Sequence, residues 1–340
     1  MGAGAFPFFK IRYTTLRMLQ RTIESFPHLT SADHEATAKL FREFDSNELM
    51  AWATEHLVEF ETPEGVNFRM VVDRGEDPEK VIVAPGEFGG ELKPFSVARA
   101  LALRAIACPE ATLVIQPNDV IGRPSMNYSR AEYRALAKGS LKPLIGRIAI
   151  VLDSLNNPEQ LALYGPSQGG IVALGFAHAE RPDAAVAVLE PPNVKARTRF
   201  QMAQDFLGCG RQLPESLAVN FDSETPFSPE TDQIPSSRNR IRYLFKVPTP
   251  SNLALVSLLA RSDALDQMKT ILENNGSVVH AWAEHDMVSS QVENRQINSA
   301  LREYKKYEAV ELPGADHSIS NFAALGGALL RRAVDIKARD

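Results

Sequence analysis

The chain has 340 residues, of which 44% are hydrophobic and 23% charged, with a formal net charge of −5. These proportions exclude a disordered, collagen-like or coiled-coil protein, and the acidic balance speaks against nucleic acid as a partner. Two cysteines are too few for a disulfide framework or a cysteine-ligated zinc site, and no apolar run reaches the ~18 residues of a membrane span.

Residues 1–56 read as a helical extension. Phe8, Ile11, Leu16, Leu19 and Ile23 recur at near-helical spacing. A second pattern runs through Ala36, Leu40, Phe41 and Phe44 behind a Ser31-Ala32-Asp33 cap signal. The extension is expected to pack on the main domain or to serve as a lid or as the surface of a homo-oligomer. The N-terminal apolar run is broken by Lys10, Arg12 and Arg17, which makes a poor signal peptide, so a cytoplasmic protein is expected.

From residue 57 the period changes to two. Strands at 57–62 and 66–72 flank a Pro63-Glu64-Gly65 turn and predict a hairpin. Continuously apolar strands follow at 80–84, 111–116, 160–164 and 184–189. Between them lie helices at 94–108, 131–155 and 170–179. The alternation predicts an α/β fold, a mostly parallel sheet flanked by helices. It pauses over 191–275, which is longer than a plain connection and reads as a mainly helical cap. It resumes with a strand at 277–282, a helix at 290–305, a strand at 308–312 and a final helix at 320–336. The expected organisation is an extension (1–56), an α/β core (57–190 and 276–340) and a cap (191–275).

The strongest chemical signal is Gly165-Pro166-Ser167-Gln168-Gly169, a Gly-x-Ser-x-Gly sequence between a buried strand and an Ala/Val/Leu helix. A serine at such a turn is lifted above the sheet in strained backbone, and small neighbours let the turn close. The Gln168 N–H, at the helix N-terminus, can stabilise developing negative charge. A serine hydroxyl needs a base; His285 and His317 are the candidates, and His317, in the loop between the last strand and the last helix, is the one expected. An acid must orient the imidazole. Asp286 follows the strand at 277–282 and completes a Ser-acid-His order; Glu284 and Glu190 are its rivals. A second oxyanion donor is expected from Pro85-Gly86-Glu87-Phe88-Gly89-Gly90, through the N–H of Phe88 or Glu87. Arg238, Arg240 and Arg242 alternate in the cap. They read as a solvated face or as a surface that attracts an anionic substrate group. His280 and His285 lack zinc spacing, so no metal site and no cofactor are expected.

Through the elbow at 165–169, the acid loop at Asp286, the histidine loop at His317 and the glycine-rich loop at 85–90, the chain resembles the α/β-hydrolase fold superfamily from about residue 57 onward. The resemblance implies an eight-stranded sheet with an antiparallel second strand and a cap inserted after the sixth. Pro85 stands where many members carry a histidine, and the extension is not part of the family core. The expected activity is that of a serine hydrolase cleaving a carboxylic ester or related acyl bond of a small molecule through a Ser167-His317-Asp286 triad. Acyl transfer, C–C bond hydrolysis and a non-catalytic binding role are the alternatives.

Overall fold

The computed structural model describes residues 26, 28–86, 92, 94–117, 128–191, 263–286, 288–313, 315 and 323–339. Eight strands form one sheet: β1 (Leu57–Glu61), β2 (Asn67–Asp73), β3 (Asp77–Pro85), β4 (Ala111–Gln116), β5 (Gln160–Pro166), β6 (Ala185–Leu189), β7 (Ser277–Ala283) and β8 (Tyr307–Leu312). Their order is β1-β2-β4-β3-β5-β6-β7-β8. β2 runs antiparallel to both its neighbours, and every pair from β4 to β8 is parallel. The hairpin thus stands as the sequence pattern predicts, and the antiparallel second strand as the resemblance implies. The ends of β3 to β8, from Pro85 to Leu312, share one edge, which is where open α/β sheets bind ligands.

Among the described residues, helices cover both faces: α1 (Ser31–Glu43), α2 (Ser46–Glu55), α3 (Pro94–Ala107), α4 (Arg130–Ala137), α5 (Lys142–Ser154), α6 (Gln168–Glu180), α7 (Ala264–Glu273), α8 (Gln291–Leu301) and α9 (Ala323–Lys337). Alternation along each strand sorts the core into two layers. Ile82, Leu113, Ala162, Tyr164 and Ala187 pack with α2, α3 and α9. Val83, Val114, Leu163, Val186 and Val278 pack with α4 to α8. Each fully buried Val or Leu contributes roughly 2 kcal/mol, so the two layers hold the sheet edge rigid.

The structure corrects the reading in two places. The single helix expected over 131–155 is two. Gly139, at φ 84, closes α4 through Gly139 N–H to Leu136 O and Ser140 N–H to Ala135 O, both 2.9 Å. That pairing is a Schellman stop, and Pro143 in the first turn of α5 starts a new helix. At the end of the expected cap, α7 instead belongs to the core, since Ala264, Met268 and Ile271 are fully buried in the second layer. Of the cap expected over 191–275, residues 192–262 lie outside the described residues, as does the helical pattern from Phe8 to Ile23.

The described part of the N-terminal extension is fastened to the core. Thr30 and Asp33 cap α1 reciprocally, with Thr30 N–H to Asp33 Oδ2 at 2.8 Å and Asp33 N–H to Thr30 Oγ1 at 3.3 Å. Arg331 of α9 holds the Asp33 carboxylate with two guanidinium nitrogens and reaches His28 O at 2.8 Å. Burial opposes charge on Asp33, but the bonds from Arg331 and Thr30 outweigh it and hold the carboxyl below its ordinary range. Leu49 and Ala53 of α2 are fully buried in the first layer.

Candidate active site

Ser167 stands between β5 and α6 at φ 49, ψ −125, a conformation that L-residues rarely adopt. Its N–H donates to Leu189 O at 2.8 Å, and its carbonyl accepts from Gly170 N–H at 2.9 Å. The turn is closed so tightly that no side chain fits at its glycines. A Cβ on Gly165 would lie 2.2 Å from the Gly169 carbonyl, and one on Gly169 would lie 2.5 Å from Pro85 O. The glycines are therefore required by close backbone approach, and they press the first turn of α6 against the end of β3. Residues 168–177 of α6 are all buried, so this helix is a core element on every side. Backbone strain at one residue costs of order 1–3 kcal/mol and persists where function holds it.

Asp286 lies past the end of β7 and is buried. Its Oδ1 accepts Val288 N–H at 2.7 Å and Ser289 N–H at 3.0 Å, so the carboxylate is fixed by its own turn. Of its sequence neighbours, His285 is exposed and Glu284 half-buried. The turn is tied to the end of β8 and to the chain just past it: Glu284 N–H donates to Leu312 O at 3.0 Å and His285 N–H to Ala315 O at 2.8 Å. His317 comes two residues after Ala315 and lies outside the described residues. So do Glu87, Phe88, Arg238, Arg240 and Arg242.

Glu190, at the end of β6, is fully buried and also left-handed, at φ 55. Its N–H donates to Ala281 O at 2.8 Å. The structure thus brings both carboxylates, Asp286 and Glu190, to the sheet edge that carries Ser167.

A buried polar chain that the sequence did not reveal braces the acid turn. Tyr307 O–H donates to His280 Nδ1 (3.2 Å), and His280 Nε2–H donates to Asn294 Oδ1 (2.9 Å). Asn294 Nδ2 donates to Ser289 Oγ (2.8 Å), and Ser289 Oγ donates to Pro191 O (2.9 Å). This donor sense requires neutral His280 in the Nε2–H form, assigned from the bonds around it. Burial pushes the His280 pKa down to about 4, against a lesser opposing effect of Asn294, and burial also raises that of Tyr307. The apolar strand Ser277–Ala283 interrupted by one histidine was the available signal, and it reads equally well as an isolated core residue.

No family model matches the chain, and no curated protein matches its sequence. Solved structures do. An esterase from Thermogutta terrifontis has a TM-score of 0.53 at 15% identity, over 83% of this chain and 99% of its own. An enol-lactonase from Burkholderia xenovorans LB400 has a TM-score of 0.53 at 14% identity, over 83% and 100%. A bacterial membrane phospholipase A has a TM-score of 0.57 at 12% identity, over 98% and 100%. With the strand order and the serine turn described above, these likenesses establish that the chain has the α/β-hydrolase fold.

Proposed function

We propose that the chain is a serine hydrolase that cleaves a carboxylic ester or related acyl bond of a small molecule. The observation that carries the reading is Ser167, held left-handed at a strand-to-helix turn whose glycines admit no side chain. Asp286 supports it, as a buried carboxylate already oriented by two backbone N–H groups at the same sheet edge. The bond from His285 N–H to Ala315 O supports His317 as the base, because it holds the chain two residues before 317 beside the acid turn.

In this reading His317 takes the Ser167 proton as the hydroxyl attacks the carbonyl, and Asp286 stabilises the imidazolium. The Gln168 N–H and that of Phe88 or Glu87 receive the oxyanion, each worth about 3 kcal/mol in the transition state. His317 then protonates the leaving group, and water activated by the same histidine clears the acyl-enzyme.

Labelling with a fluorophosphonate probe tests this. The parent is expected to label, and Ser167→Ala and His317→Ala to be silent. Asp286→Asn is expected to slow labelling strongly, while Glu190→Gln is expected to slow it less. A folded parent that never labels would sink the reading and favour a binding role. Labelling with ester turnover only in the presence of an alcohol or thiol acceptor would redirect it to acyl transfer.

A further inference from the structure

Two carboxamides beside the serine turn take no part in the chemistry above. Gln168, first in α6, is 1% exposed, and neither its Oε1 nor its Nε2 has a hydrogen-bond partner among the described residues. Gln116, last in β4, is equally buried, and its Nε2 is likewise unpaired among them. The two are close in the fold. Gln116 pairs in register with Pro85, and the first turn of α6 lies on that same Pro85, whose carbonyl crowds Gly169. Strand alternation puts Gln116 on the face of Val114, which packs in the layer containing α6.

Native interiors rarely leave amide groups buried and unmatched, because each has given up its water without recompense. Three unmatched atoms of this kind, two on the residue next to a strained serine and one across β3 from it, point to a ligand that supplies the partners. We propose that Gln168 and Gln116 form a subsite for a neutral substrate group that both donates and accepts a hydrogen bond, a hydroxyl or an amide near the scissile carbonyl. The proposal deepens the hydrolase reading and rests on it.

The chemistry of the three atoms selects the group. A hydroxyl oxygen accepts from the two amide N–H groups and offers its proton to Gln168 Oε1, and an amide supplies the same two functions. A carboxylate has no proton for Oε1, and an alkyl chain matches none of the three. Sheet order places the group on the acyl side. The acid turn and the histidine loop follow β7 and β8, on one side of β5, so the leaving group is protonated there. Gln116 and Pro85 end β4 and β3, on the other side.

The test compares p-nitrophenyl esters of similar acyl length: butyrate, 3-hydroxybutyrate, N-acetylglycinate and the half-ester of succinate. The kcat/KM of each is measured with the parent and with the near-isosteric Gln168→Met and Gln116→Leu variants, and thermal unfolding shows that each variant folds. The parent is expected to favour the hydroxyl or the amide ester over butyrate by at least about tenfold, and to disfavour the succinate ester. Either variant is expected to bring that ratio to within about threefold of one, whatever happens to the absolute rates. The better of the two polar esters tells hydroxyl from amide. A ratio that survives both substitutions overturns the subsite, as it would if ordered water alone satisfied the amides. A parent that prefers butyrate or succinate overturns it too. If one substitution prevents folding, the other yields the same ratio. Failure of the parent to turn over any ester or to label with fluorophosphonate overturns the hydrolase reading and the subsite together, whereas turnover with an unaltered ratio overturns the subsite alone.

Discussion

Ser167 and Glu190 follow neighbouring strands and both hold a positive φ, at 49 and 55, and they are joined through Leu189, whose carbonyl accepts the Ser167 N–H at 2.8 Å. The two left-handed residues therefore turn their chains off the sheet side by side. One leads into α6; the other leads toward Pro191, where Ser289 from the acid turn is anchored. Ser167 and the turn that holds Asp286 are thus braced through one stretch of backbone, Leu189 to Pro191.

A positive φ at both positions reverses the usual ranking of alanine and glycine. At both positions alanine keeps the steric penalty of the left-handed region and glycine removes it. Ser167→Gly is expected to be more stable than Ser167→Ala, and Glu190→Gly more stable than Glu190→Ala, each by about 1 kcal/mol. Urea unfolding of the four variants checks the order. Alanine winning at either site would mean that the turn relaxes out of this conformation.

Glycines elsewhere should respond according to the space around them. At Gly169 an added methyl meets the Pro85 carbonyl at 2.5 Å, so Gly169→Ala is expected to cost roughly 1–3 kcal/mol and to abolish fluorophosphonate labelling. Gly146, within α5, has nothing within 4 Å of the same methyl. Gly146→Ala is expected to stabilise by about 0.5–1 kcal/mol through helix propensity alone, with labelling unchanged. Thermal melts with the labelling assay separate the two.

His280 supplies an acid-sensitive component of stability. Its folded pKa, about 4, lies below the ordinary 6.5, so the unfolded chain takes up the proton first as pH falls. The contribution is complete above about pH 6.5 and declines toward pH 4, by about 3 kcal/mol in all. Unfolding free energies of the parent should therefore fall more steeply between pH 7.5 and 4.5 than those of His280→Gln. Parallel profiles would show that His280 is not held neutral.

Asp33 works in the opposite chemical sense but also loses its effect in acid. Its carboxyl is held below the ordinary range, so the Arg331 pairing stabilises the fold above the unfolded value of about 3.9 and fades as pH falls through the lower folded value. Arg331→Ala is expected to cost about 2 kcal/mol at neutral pH and to release α1 and α2 to limited proteolysis. The stability gap should narrow below about pH 4. A gap that persists there would assign the effect to packing of the arginine stem.

Local patterns in the sequence determined much of this protein. The switch from near-helical spacing to period two at residue 57, and the apolar runs separated by helices, already define the sheet and most of its strands, because burial on two faces demands such runs. The serine turn was equally legible, since a Gly-x-Ser-x-Gly between a buried strand and a helix is a local constraint of backbone space. Even the stop at Gly139 was written in Lys138-Gly139-Ser140-Leu141-Lys142-Pro143, although helical periodicity on either side concealed it.

What only the tertiary structure decided concerns groups far apart in the chain. Arg331 clasps Asp33 across 298 residues. His280 reaches Pro191 through Asn294 and Ser289, and Asp286, not Glu284, is the carboxylate turned inward and held by two N–H groups. Gln116 and the first turn of α6 both lie beside Pro85 only because β3 lies between β4 and β5. The physical reason is common to all four. Whether a polar side chain is buried, and whether it then finds a partner, depends on strand order and on which face of the sheet it occupies, and neither is encoded in the periodicity of any single segment.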